Sequence, residues 1–208
     1  MPSLLHISAS PRRSQSESLA IASTFVETLH DMRPDITIET FDLWDGTLPR
    51  FGPEAAAAKM SVFAGLQPAG AEAAAWLAAE RAFQRFAAAD YYLFSVPMWN
   101  HGIPYVLKQF IDVVSQPGMI FSFDPSEGYT GLLTGKRAVV IYTSAVYGPE
   151  LPPEFGTDFQ ATYFSGWLAW AGVTDISEIS FRPNLVVADA AVGRQAAHAA
   201  ARDLAKAF

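Results

Sequence analysis

The chain has 208 residues, half of them hydrophobic, a net charge of −7 and no cysteine. That length and composition suit one globular domain with a full core, spanning residues 1–208, and exclude a disordered chain. The acidic balance without a basic stripe argues against nucleic acid, and the missing thiols exclude disulfides, thiol catalysis and cysteine-ligated metals.

Ser3 to Ile7 reads as a short strand. Residues 16–31 place Leu19, Ala22, Phe25, Val26 and Leu29 at helical spacing. Ile36 to Phe41 alternates as a strand. Pro49, Gly52 and Pro53 mark a loop. Residues 54–89 are alanine-rich and helical, broken near Gly65 to Gly70. Tyr91 to Val96 is solidly apolar, the pattern of a strand buried on both faces. Pro104 suits the first turn of a helix reaching about Gln116. Residues 117–135 hold four glycines and two prolines and read as a structured excursion. Met119, Phe121 and Phe123 give it exposed aromatic character. Ala138 to Tyr142 is a further apolar strand. A helix from about Asp158 to Ala171 ends at Gly172, with Trp167 and Trp170 expected in the core. Ile176 to Phe181 is the last strand and residues 188–207 the last helix. No basic flank leads into a long apolar stretch, and no run approaches the roughly 18 apolar residues of a membrane span. A cytoplasmic protein is expected.

Strand and helix alternate five times. Right-handed crossovers then build a parallel sheet with helices on both faces. Five strands suit the α/β, flavodoxin-like order 2-1-3-4-5, which opens a ligand crevice beyond the C-terminal ends of the first and third strands.

The segment Ser8-Ala-Ser-Pro-Arg-Arg-Ser-Gln-Ser-Glu17 lies at that crevice. Ser14 and Glu17 match a capping box, with Ser14 as N-cap. A helix N-terminus with hydroxyls from Ser10, Ser14 and Ser16, and charge from Arg12 or Arg13, suits a single terminal phosphate. The lack of glycine argues against dinucleotide and Walker loops. A capped polar turn without a ligand accounts for the same residues equally well. Behind the third strand comes Val96-Pro-Met-Trp-Asn-His-Gly-Ile-Pro104, where Met98 and Trp99 can flank a flat ring. Rim packing is the alternative. Thr143-Ser-Ala-Val-Tyr-Gly148 is a third polar loop at the same edge, and the convergence of three such loops favours a ligand.

Four blocks run in collinear order over nearly the whole chain. They are Ser8-Ala-Ser-Pro11 with Ser14-Gln-Ser16, Pro97-Met-Trp-Asn100 with Ile103-Pro104 and Leu107-Lys108, Gly131-Leu-Leu-Thr-Gly-Lys136, and Gly172-Val-Thr-Asp175. In these blocks the chain resembles the FMN-dependent NADH-azoreductase family of flavodoxin-like NAD(P)H quinone reductases. The resemblance implies that Ser10, Ser14, Gln15 and Ser16 hold the FMN phosphate. It places Pro97, Met98, Trp99, Asn100 and His101 along the isoalloxazine, and Thr143 and Ser144 over the ring. Ala145-Val146 stand where family members commonly carry paired glycines.

The implied reaction is ping-pong hydride transfer, from NADH or NADPH to the flavin and then to a quinone, azo or nitroaromatic acceptor. It assigns no metal and needs no protein acid or base. His101 is a candidate proton donor to a quinone oxygen, with a wall residue as the alternative. The family further implies a homodimer whose slot both subunits complete. Two other readings stay open: a flavodoxin-type electron carrier without an organic substrate, and a non-redox phosphate-binding or regulatory module.

Overall fold

The computed structural model describes residues 1–185 and 187–208. Among these residues seven strands and six α-helices follow one another. These are β1 (Ser3–Ser8), α1 (Glu17–Met32), β2 (Thr37–Asp42), α2 (Pro53–Phe63), α3 (Gly70–Ala87), β3 (Tyr91–Pro97), α4 (Tyr105–Val114), β4 (Phe121–Asp124), β5 (Gly128–Gly131), β6 (Arg137–Thr143), α5 (Ala161–Ala171), β7 (Asp175–Phe181) and α6 (Ala190–Lys206). Five strands form one sheet in the order β2-β1-β3-β6-β7, every pair parallel. Counting only its own strands, this is the expected 2-1-3-4-5 arrangement.

Alternation along each strand feeds two separate cores, because successive side chains leave a strand on opposite faces. Leu4, Leu93, Val139, Ile141 and Ile179 pack with Ile21, Phe25 and Leu29 of α1 and Ala197 and Ala201 of α6. Leu5, Ile7, Tyr92, Phe94, Val140 and Tyr142 pack on the other face with Phe86 of α3, Phe110 of α4 and Phe164 and Trp167 of α5. A strand sandwiched this way has no solvent face, hence the uninterrupted apolar runs.

The excursion between α4 and β6 is a hairpin of β4 and β5, antiparallel to each other. Its turn is held by the Asp124 carboxylate, which accepts from the amides of Ser126 (2.8 Å) and Glu127 (3.2 Å), and by Gly128 at φ +84°. Its aromatic character is less exposed than its composition suggests. Met119 and Phe121 are buried and Phe123 is open, because Phe121 packs on Trp170 at 4.9 Å. Trp167 is buried as expected, and Trp170 is half-buried under the hairpin.

The hairpin docks through a backbone contact at Gly131. A Cβ there would lie 2.5 Å from the Ala171 carbonyl carbon and 2.6 Å from Trp170 O, and would run into Gly172 N. None of these backbone atoms can rotate away, and Gly172, at φ +101°, is the left-handed cap of α5. Gly131→Ala should therefore cost about 1–3 kcal/mol, the scale of overpacking, measured by urea denaturation. An unchanged midpoint would show that the hairpin is not held there.

Candidate functional site

Beyond the C-terminal ends of β1, β3 and β6 lie the three loops singled out in the sequence. Pairing places them side by side, with Ser8 opposite Ser95 and Pro97 opposite Thr143. Helices leaving β1 and β3 on opposite faces keep the space between them open.

The serine loop departs from its expected capping. A single 3-10 turn, Arg13–Gln15, precedes α1, and the N-cap is Ser16, not Ser14. Ser16 Oγ accepts from Leu19 N at 3.4 Å and meets Ser18 Oγ at 3.1 Å. Arg13, at φ +48°, turns the chain so that the capping position falls two residues later. Glu17 does not close a capping box. Its carboxylate reaches Arg194 of α6 at 2.6 Å, and that hydrogen bond holds it below the usual carboxylate range. Ser14 and Gln15, with Arg12 and Arg13, are exposed, whereas Ser10 and Ser16 are buried.

Ser10 is the unusual member. Its Oγ is buried and has no hydrogen-bond partner, a state costing about 1–3 kcal/mol in a closed structure. Its backbone N–H also takes none among the described residues. In the first turn of α1, Leu19 N is taken by the Ser16 cap, and the Glu17 and Ser18 amides have no partner among the described residues. Donors without partners thus converge at the positive end of a 16-residue helix, an arrangement suited to an anion.

In the second loop, Trp99 and Gly102 exchange two backbone hydrogen bonds, both 2.9 Å. Asn100 and His101 between them have φ of +48° and +70°, as a two-residue turn of this hand requires. The His101 ring is committed: Nδ1 accepts from Thr157 N at 3.0 Å, which leaves the proton of a neutral ring on Nε2. Its carbonyl accepts from Phe159 N at 3.0 Å. Met98 N donates to Thr143 O at 2.7 Å, tying the second loop to the third.

The third loop is buried at its start. Thr143 and Ser144 are buried, and Ser144 Oγ donates to Tyr147 O. Ala145 and Val146 are exposed instead. Met98, Asn100, His101, Ser144 and Val146 border a cavity of about 250 Å³. Asn100 also borders a larger one of about 1130 Å³, walled by Trp99, Tyr105, Phe159 and Tyr163. Pro97, half-buried, closes β3 beneath both loops.

Three supporting residues escaped the sequence reading. Gln160, fully buried, donates Nε2–H to Val96 O at 2.7 Å, bracing the end of β3. Arg182 pairs with Asp158 at 2.6 Å and lies over the Tyr142 and Tyr147 rings. Trp44 sits behind Trp99. Of these, only Trp44 had a local signal, an aromatic just past a strand end at the crevice edge.

A family model described as a flavodoxin-like fold matches residues 2–205. The chain is 42% identical over 200 residues to an FMN-dependent NADH:quinone oxidoreductase of Ruegeria pomeroyi, covering 96% of this chain and 98% of that one. It is 43% identical over 187 residues to a protein of the same name from Desulfotalea psychrophila, covering 89% and 87%. Among solved structures, an azoreductase from Bacillus anthracis superposes with a TM-score of 0.91 at 24% identity over the full length of both chains. At that identity it speaks to the fold.

Beneath the serine loop, His6 of β1 is buried on the α1 side. With the Ser95 hydroxyl donating to Ser18 O (3.3 Å), His6 Nε2 carries the proton it gives Ser95 Oγ (2.8 Å). Desolvation pushes the imidazole pKa down from 6.5 to about 4. Between those values the unfolded chain binds a proton that the folded chain refuses. Stability present above pH 6.5 is therefore lost as pH falls toward 4. The loss should be about 3 kcal/mol from this group. Urea midpoints of wild type and His6→Gln across that range give it as the difference in slope, and parallel slopes would refute it.

Proposed function

The chain belongs to the flavodoxin-like family and, within it, to the FMN-dependent NADH:quinone oxidoreductases; from that premise we propose that it is an FMN-dependent oxidoreductase transferring hydride from NADH to quinones or azo compounds. The observation that carries this reading is the buried, partnerless Oγ of Ser10, with the Ser10, Glu17 and Ser18 amides that take no partner among the described residues. Both are donors, and a phosphate monoester supplies the acceptors they lack. The residues present therefore fit FMN. Ser10 and Ser16 hold its phosphate with the amides of the loop, and Ser14, Gln15 and the two arginines close over it from the exposed side. Pro97, Met98, Trp99, Asn100 and His101, with Thr143 and Ser144 behind, border the ring.

FMN bound there supplies hydride transfer in both half-reactions, nicotinamide and acceptor using one slot in turn. The protein orients and desolvates. The Asn100–His101 turn is a rigid edge, since both residues sit in a left-handed conformation locked by the Trp99–Gly102 bonds. His101, its Nδ1 taken by Thr157, presents an Nε2–H and serves as a wall that can also donate a proton to an acceptor oxygen. The large aromatic cavity beside Trp99 favours an enzyme over a simple electron carrier, which has no use for an organic-substrate slot. Exposed Tyr105 and Phe159 on that cavity support pairing of two chains across it. Sedimentation as a monomer with activity intact would remove the dimer.

The purified protein should be yellow, release FMN on denaturation, and oxidise NADH with menadione. Ser10→Ala should weaken FMN binding by about 1–3 kcal/mol, the scale of a charge-assisted bond, while leaving the urea midpoint unchanged or higher. Its hydroxyl has no protein partner to lose. Full FMN retention in Ser10→Ala would sink the phosphate assignment.

A further inference from the structure

We propose that Trp44 is a positioning residue for both halves of this site: its indole N–H sets the Ala9–Ser10 peptide toward the phosphate, and its ring sets the Trp99 wall of the acceptor slot. The inference rests on the functional reading above and assigns that site a residue from outside its three loops.

Trp44 follows β2, on the strand beside β1. Leu43 N donates to Ser8 O at 3.0 Å, which draws this loop against the serine loop. Asp42 Oδ1 accepts from Trp44 N at 3.1 Å and tightens the turn. The indole then reaches across, and Nε1–H donates to Ala9 O at 3.0 Å. Ala9 is fully buried, and its own N–H is taken by Ser95 O at 3.1 Å. Ala9 is thus held at both its amide and its carbonyl.

The consequence lies in the next amide. Ala9 C=O and Ser10 N–H belong to one peptide plane, and in a trans peptide they point in opposite directions. A donor that fixes Ala9 O on one side aims Ser10 N–H to the other. That N–H has no protein partner among the described residues, like the Ser10 hydroxyl beside it. Trp44 therefore orients a donor that the anion uses, without touching the anion.

The ring does separate work. Its centroid lies 5.8 Å from Trp99 and, edge-on, 5.2 Å from Tyr105, with Trp99 and Tyr105 6.2 Å apart. Trp99 and Tyr105 border the large cavity, and Trp44 stands behind them. The Asn100–His101 turn fixes the backbone of Trp99 but not its side-chain rotamer. That rotamer is held by packing, and aromatic contacts of this kind are directional.

The two roles separate by substitution. Trp44→Phe keeps an aromatic ring and removes the donor. Trp44→Leu removes both. FMN affinity is read by titration of flavin fluorescence, and slot shape by the ratio of kcat/KM for menadione to that for anthraquinone-2-sulfonate. Trp44→Phe should bind FMN about three- to tenfold more weakly, the scale of one net hydrogen bond, with the acceptor ratio unchanged. Trp44→Leu should bind FMN as weakly and also shift the ratio. Wild-type FMN affinity in Trp44→Phe, an unshifted ratio in Trp44→Leu, or both readouts moving together in both variants would overturn the proposal. Wild-type protein that takes up no FMN would instead sink the functional reading, and this inference with it.

Discussion

β1 and β3 pair in parallel from Leu4 opposite Tyr91 to Ser8 opposite Ser95, and β2 and β6 flank them on opposite sides. The order in which strands are added to the sheet therefore reverses between them, and the segments that leave β1 and β3 diverge to opposite faces. The gap this opens cannot be closed by either helix. The serine loop, the Trp99 turn and the cavities all occupy or border it. The pairing also runs one residue past the strand, through Ala9 N to Ser95 O at 3.1 Å, so the first residues of the serine loop are as fixed as the sheet.

Around that gap, the protein holds costly backbone and polar groups in place with bonds from distant segments. Asn100 and His101 adopt a left-handed conformation that disfavours side chains, and the segment through Thr157 and Phe159 fastens their turn. Gln160 and Arg182 brace the same segment from the β3 and β7 ends. A gap between two loops keeps its width only if both are tied to one support, and residues 157–160 supply it.

Electrostatics at the start of α1 follow the same logic. Glu17 puts a carboxylate in the first turn, where it favours the helix dipole but opposes a second anion nearby. Arg194 draws that carboxylate toward α6. The positive end of the helix is left to the amides and to Ser10.

Hydrophobic periodicity in the sequence located the strands, the helices and the three loops, because burial on one or two faces repeats at a spacing that neighbouring residues reveal; the strand order came from their alternation and the flavodoxin-like arrangement that five strands suit. The Ser8 to Ser16 and Pro97 to Pro104 stretches also carried the family resemblance. What only the tertiary structure decided were bonds between residues far apart in the chain. The cap moved from Ser14 to Ser16 because Arg13 turned the loop and Arg194 took Glu17. His101 met Thr157, and Trp44 met Ala9, across separations of 56 and 35 residues. A side-chain hydrogen bond depends on where two strands' ends meet in space, and no local pattern of residues encodes that distance.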